Sequence, residues 1–145
     1  MDDYRDAIAS CCRQLRLSAN LADHAFAIQG ETHQEYLYNL LSEEIKCRKA
    51  ARIGKLIHSA GFPVQHNFAA FQPDEVQFPS GVTPESLKAL EFFHAGNNLV
   101  MYGSTGTGKT MLSICIGMEA CRSGIPVKFF RTASLINQLS EAQER

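Results

Sequence analysis

The chain has 145 residues, 45% of them hydrophobic and 20% charged, with 14 basic against 15 acidic side chains and a net charge of −1. This is the composition of a soluble folded chain, one ordinary domain or a small domain plus part of another, and it excludes a disordered tract. A charge so near zero offers no chain-wide electrostatic reason to bind nucleic acid or a membrane.

The first residues, Met1-Asp-Asp-Tyr-Arg-Asp6, put acid where a signal peptide needs positive charge, and no apolar core follows. No run approaches the roughly 18 apolar residues of a membrane span. Five cysteines, at 11, 12, 47, 115 and 121, are odd in number and contain no Cys-x-x-Cys. They read as free thiols in a reducing compartment. The expectation is a cytoplasmic protein without membrane contact.

Residues 3 to about 60 read as helical. Ile8, Cys11, Cys12 and Leu15 follow the i, i+3, i+4, i+7 spacing of one helix face. Gly30-Glu-Thr32 interrupts, and a longer helix runs from about Gln34 to Ala60, ended by Gly61-Phe-Pro63. The stretch 61–82 carries Pro63, Pro73 and Pro79 with aromatics at 62, 68, 71 and 78. It reads as an extended connector and domain boundary. The expected organisation is a helical N-terminal domain over 1–60, the connector over 61–82, and the first part of a second domain over 83–145.

That second part predicts a short helix at Pro84, capped by Thr83, with Leu87, Leu90 and Phe93 on one face, ending near Gly96. Leu99-Val-Met-Tyr102 reads as a buried strand. A glycine loop follows, then a helix from about Lys109 to Arg122 stopped by Gly124. Val127-Lys-Phe-Phe-Arg131 reads as a second strand, and Leu135, Ile136, Leu139 and Ala142 mark a last helix. The order strand, loop, helix, strand, helix predicts an α/β fold, an incomplete P-loop parallel sheet with covering helices.

The loop is the most informative feature. Gly103, Gly108, Lys109 and Thr110 meet the pattern G-x-x-x-x-G-K-[ST], the Walker A pattern, with Ser104, Thr105, Gly106 and Thr107 between. Glycines let the backbone curl so that several N–H groups converge on one anion. The helix that follows turns its free N–H groups and positive dipole end to the same point. Lys109 supplies a mobile charge for β- and γ-phosphates, and Thr110 a hydroxyl for Mg²⁺. The expected ligand is a nucleoside triphosphate, ATP with Mg²⁺.

Asn97-Asn-Leu-Val-Met-Tyr-Gly-Ser-Thr-Gly-Thr-Gly-Lys-Thr110 and Cys121-Arg-Ser-Gly-Ile-Pro-Val-Lys-Phe-Phe-Arg-Thr-Ala-Ser-Leu-Ile-Asn-Gln-Leu139 resemble the IstB/DnaC group of AAA+ ATPases. Upstream, Leu15-Arg-Leu17, Glu43-Glu44, Arg48 and Ala60-Gly-Phe-Pro63 are similar to IstB-like N-terminal regions, which favours IstB over DnaC. The resemblance covers most of the chain. Ser104 stands where such loops usually have proline, and Met111-Leu-Ser113 where His-Leu-Ala is common.

The resemblance implies an ATP-binding helper of DNA transposition, with a transposase as partner protein, DNA as target and self-assembly in the full-length family. The alternatives are a replicative helicase loader with a helicase partner, a P-loop kinase or metabolic enzyme, and a non-catalytic nucleotide-binding remnant. Hydrolysis in this fold needs a later acidic motif. Asp74-Glu75 lies upstream of the loop and after no apolar strand, so it does not qualify. The family's acidic motif, sensor residue and arginine finger would lie beyond Arg145. The chain is therefore read as a truncated product or a fragment that binds ATP without hydrolysing it alone, with no catalytic residue assigned. Its open sheet edges predict poor solubility or dependence on a partner.

Lys46, Arg48, Lys49, Arg52 and Lys55 fall within ten residues that contain no acid. They can contact DNA phosphates, or they can be a solvated helix face on which Glu44 pairs with Arg48 at i, i+4. Phe68, Phe71 and Phe78 can line an adenine pocket or anchor a core. The histidines at 24, 33, 58, 66 and 94 show no ligand partner at metal spacing, so a structural or surface role is expected for each.

Overall fold

The computed structural model describes residues 2–72 and 76–143; Pro73 and the Asp74-Glu75 pair lie outside the described residues. Two compact units divide the chain, Met1–Arg52 and Ile53–Arg145.

The first unit holds α1 (Asp2–Gln14), α2 (Leu21–Ala27) and the start of α3 (His33–Ala60). The helical run expected from residue 3 breaks earlier than Gly30, between α1 and α2. There Arg16 takes a left-handed φ of 55°, and Leu17 N–H closes the end of α1 on Cys12 O at 2.8 Å. No glycine marks this stop, and the left-handed backbone costs about 1 kcal/mol in a residue with a Cβ. Contacts from α3 hold it. Arg48 Nη2 donates to Arg16 O at 2.6 Å, and Ser18 N–H donates to both carboxylate oxygens of Glu44 at 3.0 and 3.1 Å. Cys12, Leu21 and Ala22 form the buried apolar side of the turn. Tyr36 Oη donates to Ala25 O at 2.7 Å, fixing α2 to the first turns of α3.

The second unit is built around α6 (Lys109–Arg122), flanked in sequence by α4 (Pro84–Lys88), α5 (Glu91–His94) and α7 (Thr132–Gln143). Leu112, Ile114, Cys115, Ile116, Gly117, Met118 and Cys121 are all buried, so α6 is enclosed on most sides. Leu112, Cys115 and Ile116 share a core with Phe71, Leu87 and Leu90, and Phe68, Phe78, Leu99 and Met101 pack against it. Thr83 caps α4 as expected: its Oγ1 accepts from Ser86 N–H at 3.1 Å while its own N–H donates to Ser86 Oγ at 3.0 Å. Gly124 stops α6 at φ 83°, with Ile125 N–H returning to Ala120 O at 2.9 Å.

Two expectations fail here. The single short helix after Pro84 is broken at Leu90, which takes φ 59° and stays 3% exposed. The break rotates the following turn, so Phe92 packs on the core and Phe93 is 51% exposed.

The second failure is the fold class. The described residues are helical with no strand, so there is no parallel sheet. A strand exists only through its ladder partner, and neither apolar segment finds one. Leu99 and Met101 pack on the core while Val100 and Tyr102 are 81% and 95% exposed, an extended segment buried on one side only. The segment 127–131 instead docks on the end of α3. Phe129 N–H donates to Ala60 O at 2.8 Å, Lys128 Nζ donates to Ser59 O at 2.6 Å, and the Phe129 ring lies 6.0 Å from that of Phe62. Phe62 in turn presses on α6. A Cβ at Gly117 would lie 2.8 Å from the Phe62 ring, so only glycine fits that helix position without a shift.

Candidate functional site

The glycine loop lies between the extended segment 99–102 and the first turn of α6. Gly103, Gly106 and Gly108 have φ of 144°, 88° and 77°, in the region that disfavours any residue with a Cβ. Gly108 is the residue before α6, and its carbonyl accepts the first helical bond, from Leu112 N–H at 2.9 Å. The N–H groups of Lys109, Thr110 and Met111 precede that bond. They belong to the helix end that has no intrahelical acceptors.

Lys109 is drawn back across the loop. Its Nζ donates to Ser104 O at 2.5 Å, to Gly103 O at 3.0 Å and to Thr107 Oγ1 at 3.2 Å, while Thr107 Oγ1 donates to Ser104 O at 2.9 Å. The ammonium thus sits among loop oxygens, where an incoming anion can compete for it. Ser104, Thr105, Gly106, Thr107 and Thr110 are exposed, and Lys109 is half-buried. The Thr110 hydroxyl, on the first turn of α6, is therefore open to a solvated cation.

A cavity of about 620 Å³ adjoins the loop, lined by Phe78, Leu87, Leu99, Met101 and Leu112 and, from the loop and the start of α6, by Gly103, Thr107, Gly108 and Lys109. Of the three phenylalanines singled out from the sequence, Phe78 lines this cavity. Phe71 lines a smaller hollow of about 320 Å³ on the Gly106–Gly108 side and lies 3.9 Å from a Cβ placed on Gly108. Phe68 stands edge-on to Phe71, with ring centres 6.4 Å apart, and packs on the core. Thus the connector supports the loop through Phe71 and walls the cavity through Phe78. A loop of backbone donors, a lysine and a helix N-terminus beside an apolar cavity can hold an anionic ligand that also has a flat apolar part.

The basic residues of α3 are not equivalent. All five are exposed, but Arg48 Nε bonds Glu44 Oε1 at 2.6 Å and Lys46 Nζ pairs with Glu43 Oε2 at 3.1 Å. Lys49, Arg52 and Lys55 make no ion pair among the described residues. Glu44 is 4% exposed. Burial pushes its carboxyl up, yet the hydrogen bonds from Arg48 and Ser18 outweigh burial and hold it below the usual carboxylate range.

A glycine loop opening a helix beside a ligand-sized cavity is an arrangement suited to a nucleotide or another phosphate. The chain belongs to the family of IstB-like ATP binding proteins, which it matches over residues 14–145. It is 30% identical over 146 residues to a protein of Geobacillus stearothermophilus named for ATP binding in insertion sequence IS5376, covering 97% of this chain and 58% of that protein. It is 28% identical to an insertion-sequence protein of Mycobacterium tuberculosis also named for ATP binding, over 92% of this chain and 55% of the relative. A Bacteroides fragilis protein of the IS21-like type, again named for ATP binding, is 26% identical over 86% of this chain and 49% of its own length. The chain therefore spans about half the length of these relatives. Among the described residues, no helix is long and apolar enough to cross a membrane.

Proposed function

We propose that Gly103 to Thr110 hold the phosphates of ATP, in a protein that assists DNA transposition together with a transposase. One observation carries the nucleotide assignment: Lys109 Nζ is held over the curl of Gly103, Gly106 and Gly108 at the open end of α6. Phosphate oxygens replace the Ser104 and Gly103 carbonyls as its partners. Backbone N–H groups of the loop and of the first turn of α6 complete the cradle, and the Thr110 hydroxyl takes one position on a hydrated Mg²⁺. The cavity beside Phe78 and Met101 receives the base, whose flat apolar face suits that lining.

The transposition role is supported by the family and by relatives named from insertion sequences. DNA contact is assigned to Lys49, Arg52 and Lys55, whose cations have no acidic partner among the described residues, and less to Lys46 and Arg48, which are already paired. A fluorescent ATP analogue titrated into the chain with and without Mg²⁺ tests the central assignment. Saturable binding that ATP displaces is expected, and absence of binding at millimolar nucleotide overturns it.

A further inference from the structure

We propose that His24, Glu43 and Cys47 form a zinc site in the N-terminal unit, joining α2 to α3. A ring nitrogen of His24, a carboxylate oxygen of Glu43 and the Cys47 sulfur all lie within 4.8 Å of one another, and all three residues are half-buried. Glu43 and Cys47 are four residues apart on α3 and so share one helix face. His24 approaches them from the middle of α2. No ligand spacing in the sequence reveals this set, because its members come from two helices.

Two independent observations point to a ligand. His24 Nδ1 is buried and has no hydrogen-bond partner among the described residues, an orphan of the kind folded proteins rarely keep. Asn20 Nδ2, at the head of α2, lies 3.8 Å from Cys47 Sγ and donates to the sulfur, a contact that would also support a metal-bound thiolate. Glu43 has an oxygen to spare. Lys46 takes Oε2, which leaves Oε1 for a cation.

The spacing also suits the ion. A point equidistant from three atoms spaced at the 4.8 Å limit lies about 2.8 Å from each. Zinc bonds of about 2.0–2.3 Å are reached by closing each ligand by roughly 0.5–0.8 Å, within the range of small side-chain rotations. Imidazole, thiolate and carboxylate together select zinc over magnesium or calcium, which prefer oxygen alone. The fourth position is left to water. In chemical terms zinc displaces the thiol proton to solvent and forms N, O and S bonds; nothing is oxidised.

The site has consequences for the fold. α2 has only seven residues, too few to persist by itself. Tyr36 Oη on Ala25 O and the Asn20–Cys47 contact tie it to α3, and a bound zinc would add a further tie through His24. Zinc is thus expected to raise the stability of the N-terminal unit and shield Cys47.

The test uses the untagged 145-residue chain, stripped with a chelator and then titrated with Zn²⁺ alone against a chromophoric competitor. One tight equivalent per chain is expected. Co²⁺ in place of zinc should give a thiolate-to-metal charge-transfer band in the near ultraviolet, absent in Cys47→Ser. Loss of outer-shell support alone typically weakens metal sites by about 10–100-fold, so His24→Gln and Glu43→Gln should each weaken binding by at least about ten-fold. Circular dichroism of each variant separates loss of ligand from loss of fold. Should a variant unfold, mapping of alkylated cysteines in the unaltered chain decides: zinc should protect Cys47 and leave Cys11 reactive. No stoichiometric binding, a cobalt spectrum without the thiolate band, or equal protection of Cys11 and Cys47 overturns the proposal.

Discussion

Arg48 Nε stands 2.6 Å from Glu44 Oε1, and the same guanidinium reaches through Nη2 to Arg16 O. This one side chain therefore joins the middle of α3 to the left-handed turn that ends α1. Its charge is committed to structure. Glu44, 4% exposed and also holding Ser18 N–H, depends on it. Truncating Glu44→Ala leaves Arg48 Nε and Ser18 N–H without their acceptor. The expected loss is about 1–3 kcal/mol, because the Arg48 half of the pair is open to water. Urea unfolding of the variant, compared with Lys46→Ala, measures it. The Lys46 change should stay within about 0.5 kcal/mol, as the Lys46 side chain is exposed in its pair with Glu43.

The same commitment bears on the proposed DNA contact. Lys49→Ala, Arg52→Ala and Lys55→Ala should each reduce the slope of log affinity against log salt by about 0.9 per phosphate contact removed. Lys46→Ala should change it less. Fluorescence anisotropy with a labelled duplex at several salt concentrations reads the slopes. Unchanged slopes in all three variants would remove DNA contact from α3.

Two glycines should respond in opposite directions. At Gly117 the new Cβ would meet the Phe62 ring at 2.8 Å, whereas at Gly54, inside α3, nothing lies within 4 Å. Gly117→Val is expected to cost about 1–3 kcal/mol by overpacking. Gly54→Ala should stabilise by about 0.5–1 kcal/mol through helix propensity. Thermal melts of the two variants give both signs in one experiment.

The thiols should separate by burial. Cys115 and Cys121 are fully enclosed, and burial pushes both thiols up, at Cys115 with a further push from Glu119. At neutral pH a raised value leaves the unreactive protonated thiol, so both should be alkylated only when the unit opens. Cys11, exposed on α1, should react first. Mass spectrometry after timed alkylation orders them. Early labelling of Cys115 would contradict the enclosed position of α6.

The backbone of the glycine loop was readable because it is local: Gly103, Gly106 and Gly108 take the positive φ that glycine allows, and α6 starts after Gly108 and stops before Gly124. The Thr83 cap is local in the same way. What escaped depends on distant partners. Four apolar residues such as Leu99 to Tyr102 have the composition of a strand, but a ladder needs a neighbour, and segment 127–131 bonds to Ala60 and Ser59 instead. The turns at Arg16 and Leu90 carry positive φ in residues that give no warning of it, because tertiary contacts hold them. The grouping of His24 with Glu43 and Cys47 was hidden for the same reason, since its members come together only when α2 lies on α3.

The most direct test of the nucleotide assignment is ATP affinity in Lys109→Ala beside the unaltered chain, by calorimetry with Mg²⁺ present. Lys109 is half-buried on the first turn of α6 and its bonds run only to loop oxygens, so the fold should survive its loss. Removing a charged partner of the phosphates should weaken binding by about 1.5–3 kcal/mol or more, roughly ten- to hundred-fold. Affinity unchanged in the folded variant would contradict the assignment of Gly103 to Thr110 as the phosphate site.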